Sequence, residues 1–123
     1  MRAYVLSPAA ERDLDDIWDY TVGRWGEAQA ERYILSIESS VAGLVEGTQP
    51  SLSAADVREG YRKARVGMHV VFFRESPSLI DVVRILHQQM DFPAVLETTT
   101  RSHRSAGRAL TRRRAEQTVN SPR

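Results

Sequence analysis

Three segments with the pattern of β-strands follow one another between residues 60 and 87. They cover residues 60–66, 68–75 and 79–87, and Gly67 and the cluster at 76–78 supply turn residues between them. The last segment is apolar on both predicted faces: Leu79, Val83 and Ile85 on one side, and Ile80, Val82 and Leu86 on the other. Strands of this kind lie inside a sheet. The pattern therefore predicts three consecutive strands, with the third one in the middle of the sheet.

Two amphipathic helices are predicted before these strands. Ser7 is a suitable N-cap and Pro8 suits the first helical position, and apolar residues then recur every three or four positions until Gly23 and Gly26. A second helix is predicted over about residues 27–45, and Gly47 suits its C-cap. We expect the two helices to form an antiparallel hairpin of about residues 8–46.

The remaining segments complete an α+β architecture. Residues 2–6 are predicted as a first strand, 48–59 as a loop, and 91–96 as a short turn of helix. The order strand, helix, helix and three strands indicates a hairpin packed on one face of a mostly antiparallel sheet. We interpret Trp18 and Trp25 as packing residues of the hairpin rather than exposed anchors. Aromatic residues in the strands are expected in the core or on the sheet, namely Tyr61, Phe72 and Phe73.

Charge divides the chain into two parts. Residues 1–96 contain ten Arg or Lys against fourteen Asp or Glu, whereas residues 97–123 contain seven Arg against two Glu. The second part also has few large apolar side chains, so it cannot bury enough surface to offset the entropy of ordering. We predict a folded domain at 1–96 and a basic tail at 97–123 that is disordered or transiently helical around residues 107–117. The tail's Arg112–Arg114 run would bind nucleic acid only non-specifically.

Composition also excludes several classes of chemistry. The chain has no cysteine, which excludes disulfides and thiolate catalysis and suits a reducing cytoplasm. Its three histidines are scattered at 69, 87 and 103 and lack a cysteine partner, so we expect no structural zinc site and no cofactor. The longest apolar run is too short for a membrane span, and the N-terminus turns acidic too soon for a signal peptide.

Polar residues on the predicted strands have two interpretations. Arg62, Lys63 and Arg65 belong to a predicted edge strand, where charges either block edge-to-edge pairing or contact a partner. His87, at the end of the apolar strand, is either a packed structural histidine or a general base with Arg84 or Arg62 as its cation.

Three motifs in this order resemble the ParE toxins of bacterial toxin–antitoxin modules, within the RelE/ParE-like family. They are SPxAxxDLxxIxxY from Ser7, GYRK from Gly60, and VRILHQxMD from Val83. The resemblance covers residues 1–96 and implies a RelE/ParE-like fold. It also implies a toxin that poisons DNA gyrase by binding, is neutralised by a ParD-like ribbon-helix-helix antitoxin, and meets operator DNA only through that antitoxin.

The resemblance also suggests where partners bind. Contact candidates for gyrase or antitoxin are Arg62, Arg65, Arg84, His87, Gln88 and Met90. Candidates for a groove that receives the antitoxin are Trp18 and Tyr33. A ParD-like segment, disordered when free, would place apolar side chains along the hairpin and the sheet, or add a strand at a free edge.

A RelE-type ribosome-dependent mRNA interferase is the enzymatic alternative. Such nucleases are similar in fold and use a sheet arginine, an arginine near the end of the last strand, and often a C-terminal tyrosine or histidine. Here the corresponding positions hold Val70 and Gln88, and no tyrosine follows Tyr61. We therefore expect no catalytic residues and no enzyme activity. A degenerate toxin that only binds antitoxin is a third possibility, which the sequence does not separate from the first.

Overall fold

The computed structural model describes residues 2–96, so the predictions about the tail at 97–123 lie outside the described residues. Seven elements follow in the chain: β1 Ala3–Leu6, α1 Pro8–Trp25, α2 Glu27–Glu46, β2 Leu52–Ser53, β3 Arg62–Val66, β4 His69–Glu75 and β5 Leu79–His87. Residues 92–96 add a helical turn, as predicted. The fold is α+β with a mostly antiparallel sheet, which confirms the predicted class.

Both helices begin and end where the sequence indicates. The Ser7 hydroxyl accepts a hydrogen bond from the Ala10 amide at 3.0 Å, and Pro8 follows at the first helical position. Gly26 separates α1 from α2 with φ at 91°, and Gly47 ends α2 in the left-handed conformation with φ at 84°. These positive φ angles allow the chain to reverse at one helix end and to leave the hairpin at the other.

The sheet has the strand order β1-β5-β4-β3-β2. β5 lies between β1 and β4, which confirms its predicted interior position, and it pairs in parallel with β1. The two-residue β2 lies within the predicted loop at 48–59 and is too short to show an alternating pattern. It pairs with Arg62 and Lys63, so the prediction that β3 is an edge strand is wrong for that half of β3.

A β-bulge corrects the predicted faces of β5. Phe72 lies opposite Arg84 whereas Phe73 lies opposite Val82, so Val83 is an extra residue without a partner in the register. The alternation of side chains between the two faces of the sheet therefore reverses at Val83. Consequently Ile85 joins Ile80 and Val82 in one buried cluster, while Val83 joins Leu86 in the other.

The sheet has a buried cluster on each face. The larger one lies beneath the hairpin and includes Leu14, Ile37, Val71 and Phe73. The smaller one, on the opposite face, consists of Ala54, Tyr61, Val70, Phe72, Val83, Leu86 and Leu96. The helical turn at 92–96 helps to cover it, because the ring of Phe92 contacts that of Phe72 with centroids 4.8 Å apart. The predicted burial of Tyr61, Phe72 and Phe73 is confirmed.

The two tryptophans have different environments. Trp18 is partly buried and packs against the larger cluster, as predicted. Trp25 is 64% exposed, so its interpretation as a packing residue is wrong. It is the last residue of α1, where the chain turns away at Gly26, and its ring lies 5.7 Å from the Arg24 guanidinium carbon. Neither helix among residues 2–96 has the length and apolar character needed to cross a bilayer.

Candidate functional site

Side chains from the start of α1 continue the hydrogen bonding of β5 beyond the end of β1. Pairing between these strands ends with Leu6 opposite Val82. The Ser7 amide then donates to the Val82 carbonyl at 3.0 Å, and the Ser7 hydroxyl donates to the Val83 carbonyl at 2.7 Å. Six residues further along, the Asp13 carboxylate accepts a 2.8 Å hydrogen bond from the Ile85 amide. Polar side chains therefore bind the backbone groups in the part of β5 that β1 does not reach.

Arg84 forms a bidentate ion pair with the same carboxylate. Its Nε and Nη2 atoms each lie 2.7 Å from an Asp13 oxygen, and the Asp13 side chain is only 9% exposed. Burial raises the pKa of Asp13 above its usual value, while the Arg84 and Ile85 hydrogen bonds act in the opposite direction. We call Ser7, Asp13 and Arg84 the strand-edge cluster. Its candidate residue, Arg84, is already bound within the domain.

A second cluster lies where the sheet ends near α2. His69 at the start of β4 is directly opposite His87 at the end of β5, and their ring centroids are 5.4 Å apart at an interplanar angle of 81°. The Tyr33 hydroxyl from α2 lies 2.6 Å from His69 Nδ1. We call Tyr33, His69 and His87 the sheet-end cluster.

Tyr33 attaches α2 to the turn between β3 and β4. Its hydroxyl lies 3.3 Å from the Val66 carbonyl and accepts a 3.1 Å hydrogen bond from the Met68 amide. The ring also packs over Gly67, where a Cβ atom would lie only 2.7 Å from Tyr33 Cε1. Gly67 is thus required both by this close approach and by its φ of 58°. Burial raises the pKa of Tyr33, which keeps the phenol protonated at neutral pH.

His69 is uncharged at neutral pH. Burial lowers its pKa to about 4, and the neighbouring His87 contributes in the same direction. The Gln89 amide donates to His87 Nδ1 at 3.2 Å. The contact between Tyr33 and His69 therefore joins two uncharged groups, in contrast to the ion pair of the strand-edge cluster.

Two exposed methionines flank the sheet-end cluster. Met68 is 54% exposed and Met90 is 43% exposed. Backbone hydrogen bonds hold them near the histidines: the Gln88 amide donates to the Met68 carbonyl, and the Met90 amide donates to the His87 carbonyl. We call Met68, His87, Gln88 and Met90 the sheet-end surface. Exposed apolar side chains next to polar groups are found at surfaces that bind a partner.

The structure brings together only part of the predicted candidate set. His87, Gln88 and Met90 share the sheet-end surface, and Tyr33 lies beneath it rather than in an open groove. Arg65 is exposed, and its Nε donates to the Gly67 carbonyl at 3.3 Å.

The other candidates lie elsewhere. Arg62 donates to Ser51 through Nε and Nη2, each at 3.1 Å, and lies 3.8 Å from Glu75. Trp18 packs on the hairpin side of the sheet, and Arg84 belongs to the strand-edge cluster.

The contact candidates chosen from the sequence did not include His69 or Met68. Both lie next to a predicted turn, where no periodic pattern distinguishes them, and only the β4–β5 register shows that His69 faces His87. Within residues 2–96, no group of three or more His, Cys, Asp or Glu side chains is arranged to hold a metal ion.

Comparison with known proteins gives consistent matches over the described domain. A family model described as the ParE toxin of the type II toxin–antitoxin system parDE matches residues 4–92. Toxin ParE1 of Mycobacterium tuberculosis is 42% identical over 89 residues, which cover 72% of this chain and 91% of that protein. Toxin ParE1 of Caulobacter vibrioides is 38% identical over 96 residues, covering 78% of this chain and 99% of that protein.

A solved structure agrees with the fold. The structure titled "Chromosomal ParDE TA system from P. aeruginosa" superposes with a TM-score of 0.60 at 24% identity, covering 71% of this chain and 96% of that one. At this level of identity the similarity concerns the fold alone.

Proposed function

The chain belongs to the ParE toxins of type II toxin–antitoxin systems, and on this premise we propose that it inhibits DNA gyrase and is neutralised by a ParD-like antitoxin. Membership in the family implies an antitoxin partner. We place its action in the cytoplasm, where gyrase acts on the chromosome, and we assign it no cofactor. Contact with operator DNA would occur through the antitoxin.

The observation that favours binding over catalysis is that both candidate arginines are bound by other residues of the domain. RNA cleavage by a 2′-hydroxyl needs a base, an acid and a cation that stabilises the charge on phosphorus. Arg84 is held by Asp13 and Arg62 by Ser51, so the two candidate cations are bound away from His87. Val70, which replaces the sheet arginine of RelE-type nucleases, is buried in the smaller cluster.

The sheet-end surface is the region that we assign to gyrase. Methionine side chains are flexible and polarizable, which suits a surface that must adapt to a large partner. The exposed Met68 and Met90 flank the polar His87 and Gln88 on a rigid strand end. Such a surface offers apolar contact area together with hydrogen bonds that fix orientation.

The outer side of the hairpin is the region that we assign to the antitoxin. Tyr20 and Trp25 are exposed near the end of α1, and the Arg24 guanidinium carbon lies within 5.8 Å of both ring centroids. Exposed aromatic residues next to arginine are common energetic anchors of protein interfaces. An amphipathic antitoxin segment that folds on binding would cover them.

A gyrase cleavage assay tests the proposal. Purified protein with gyrase, ATP and supercoiled plasmid should increase the amount of cleaved-complex DNA. The double variant Met68→Glu/Met90→Glu should abolish this increase, because charges would replace the exposed apolar side chains of this surface. Leu52→Glu is the control, since Leu52 is also an exposed apolar residue but lies on β2. Equal loss in both variants would argue against the sheet-end surface.

A translation assay separates the enzymatic alternative. Ribosomes programmed with mRNA should show no new cuts in the presence of the protein. Cuts that disappear in His87→Ala would establish an mRNA interferase and overturn the proposal. If neither assay responds but a ParD-like antitoxin still binds, the protein is a degenerate toxin that only binds its antitoxin.

A further inference from the structure

The two histidines of the sheet-end cluster form the type of cross-strand pair in which the side chains lie closest together. The next pair along the ladder, Met68 and Gln88, carries a direct hydrogen bond from the Gln88 amide to the Met68 carbonyl at 2.9 Å. Because hydrogen-bonded and non-hydrogen-bonded pairs alternate between antiparallel strands, His69 and His87 form a non-hydrogen-bonded pair. Side chains in such pairs approach each other most closely.

The spacing of the two rings matches that of two imidazoles on one metal ion. A ring nitrogen about 2.1 Å from a zinc ion places the ring centroid about 3.2 Å from that ion. Two rings at a tetrahedral angle then have centroids about 5.2 Å apart. The observed centroid separation is 5.4 Å. The two rings therefore have the centroid separation expected of two imidazoles bound to one ion.

The hydrogen bonds of Tyr33 prepare His69 as a ligand. The phenol oxygen has three contacts: the Met68 amide donates to it, the Val66 carbonyl lies at 3.3 Å, and His69 Nδ1 lies at 2.6 Å. All three are satisfied together when the phenol donates to Val66 and His69 Nδ1–H donates to the phenol. In that tautomer the lone pair of His69 is on Nε2. A second hydrogen bond of this kind orients most metal-binding histidines.

We propose that His69 and His87 form a two-histidine site for a divalent transition-metal ion of the Zn²⁺, Ni²⁺ and Cu²⁺ class. Imidazole nitrogen suits these ions, whereas Mg²⁺ and Ca²⁺ prefer oxygen ligands. Among residues 2–96 there is no third His, Cys, Asp or Glu in the group, so water fills the remaining positions in the isolated protein. At His87, the ion binds Nε2 and the proton moves through solvent to Nδ1, replacing the 3.2 Å contact with the Gln89 amide.

Calorimetric titration of the full chain tests this site. The protein should carry no polyhistidine tag, should be freed of metal with a chelator, and should be titrated with ZnCl₂, NiCl₂ or MgCl₂ alone. We expect one Zn²⁺ or Ni²⁺ per chain and no binding of Mg²⁺. His87→Gln should weaken Zn²⁺ binding at least tenfold. His103→Gln is the matched control, because it removes the third histidine of the chain, and it should leave the affinity unchanged.

Tyr33→Phe distinguishes a prepared site from two adjacent surface histidines. It keeps the ring over Gly67 but removes the hydroxyl that orients His69. Loss of such an outer hydrogen bond typically lowers metal affinity about 10–100-fold. Circular dichroism of each variant confirms that the fold is retained. A His69→Gln/His87→Gln double variant that binds Zn²⁺ as tightly as the wild type would overturn the proposal, as would a loss of binding in His103→Gln.

Discussion

The strand-edge and sheet-end clusters both join the helical hairpin to β5 or its neighbours, but they do so with different chemistry. At the strand edge, a buried carboxylate binds a guanidinium and a backbone amide, and little of either side chain is exposed. At the sheet end, neutral aromatic groups make the link, and exposed methionines surround them. A buried ion pair whose two side chains bind each other within the domain contributes to its structure. Side chains at the surface that can form further hydrogen bonds or apolar contacts are available to a ligand or a partner.

The largest effect is expected from Asp13→Ala at the strand edge. The change leaves the Arg84 guanidinium partly buried without its partner and removes the acceptor of the Ile85 amide. Breaking a buried pair from one side typically costs about 3–5 kcal/mol. Urea unfolding followed by circular dichroism measures the loss. Asp19→Ala, at an exposed position of the same helix, should change stability by no more than about 0.5 kcal/mol.

Two outcomes bear on the comparison. Asp13→Ala/Arg84→Met should recover part of the loss, because no uncompensated charge remains. If Asp13→Ala is no worse than Asp19→Ala, the strand-edge cluster is not the structural link described above.

A smaller effect is expected from Gly67→Ala beneath the sheet-end surface. The new Cβ would lie 2.7 Å from the Tyr33 ring, and the residue would keep a φ of 58°. The left-handed conformation alone costs about 1–2 kcal/mol for a residue with a side chain, so we expect a total loss of about 2–3 kcal/mol on the same urea curve. Gly23→Ala is the control: it lies within α1 with open space around it and should stabilise the protein by about 0.5–1 kcal/mol.

The smallest expected effect is the pH dependence that His69 gives to the free energy of unfolding, measured in the presence of a chelator. The unfolded chain takes up a proton on His69 near pH 6.5, whereas the native protein takes it up only near pH 4. The unfolded state therefore binds more protons in this window, and stability falls as the pH is lowered through it. Because the ring is partly exposed, solvent screening reduces the effect to about 1 kcal/mol.

Unfolding curves at pH 7 and pH 5 for the wild type and for His69→Gln give the size of this effect. The difference between the two proteins should decrease towards pH 5, because the variant lacks the titrating group. An unchanged difference would show that His69 is protonated as easily in the native protein as in the unfolded chain.

Much of the fold could be predicted because its signals are local. The N-cap at Ser7, the reversal at Gly26 and the apolar run of β5 each depend on a few neighbouring residues. β2 could not be predicted in the same way, since two residues in a strand carry no periodic signal. The bulge at Val83 was also missed, because an extra residue in a continuous apolar run does not change the pattern of the run.

The sequence by itself determined the family, the order of the elements and the general position of the candidate surface around His87 to Met90. Only the tertiary structure decided which side chains act together. Arg84 binds Asp13 across 71 positions of the chain, and this contact places it in the strand-edge cluster. His69 and His87, which appeared scattered, became a pair through the register of two strands. Register and helix docking are set by the packing of the whole core, so no local pattern of residues contains them.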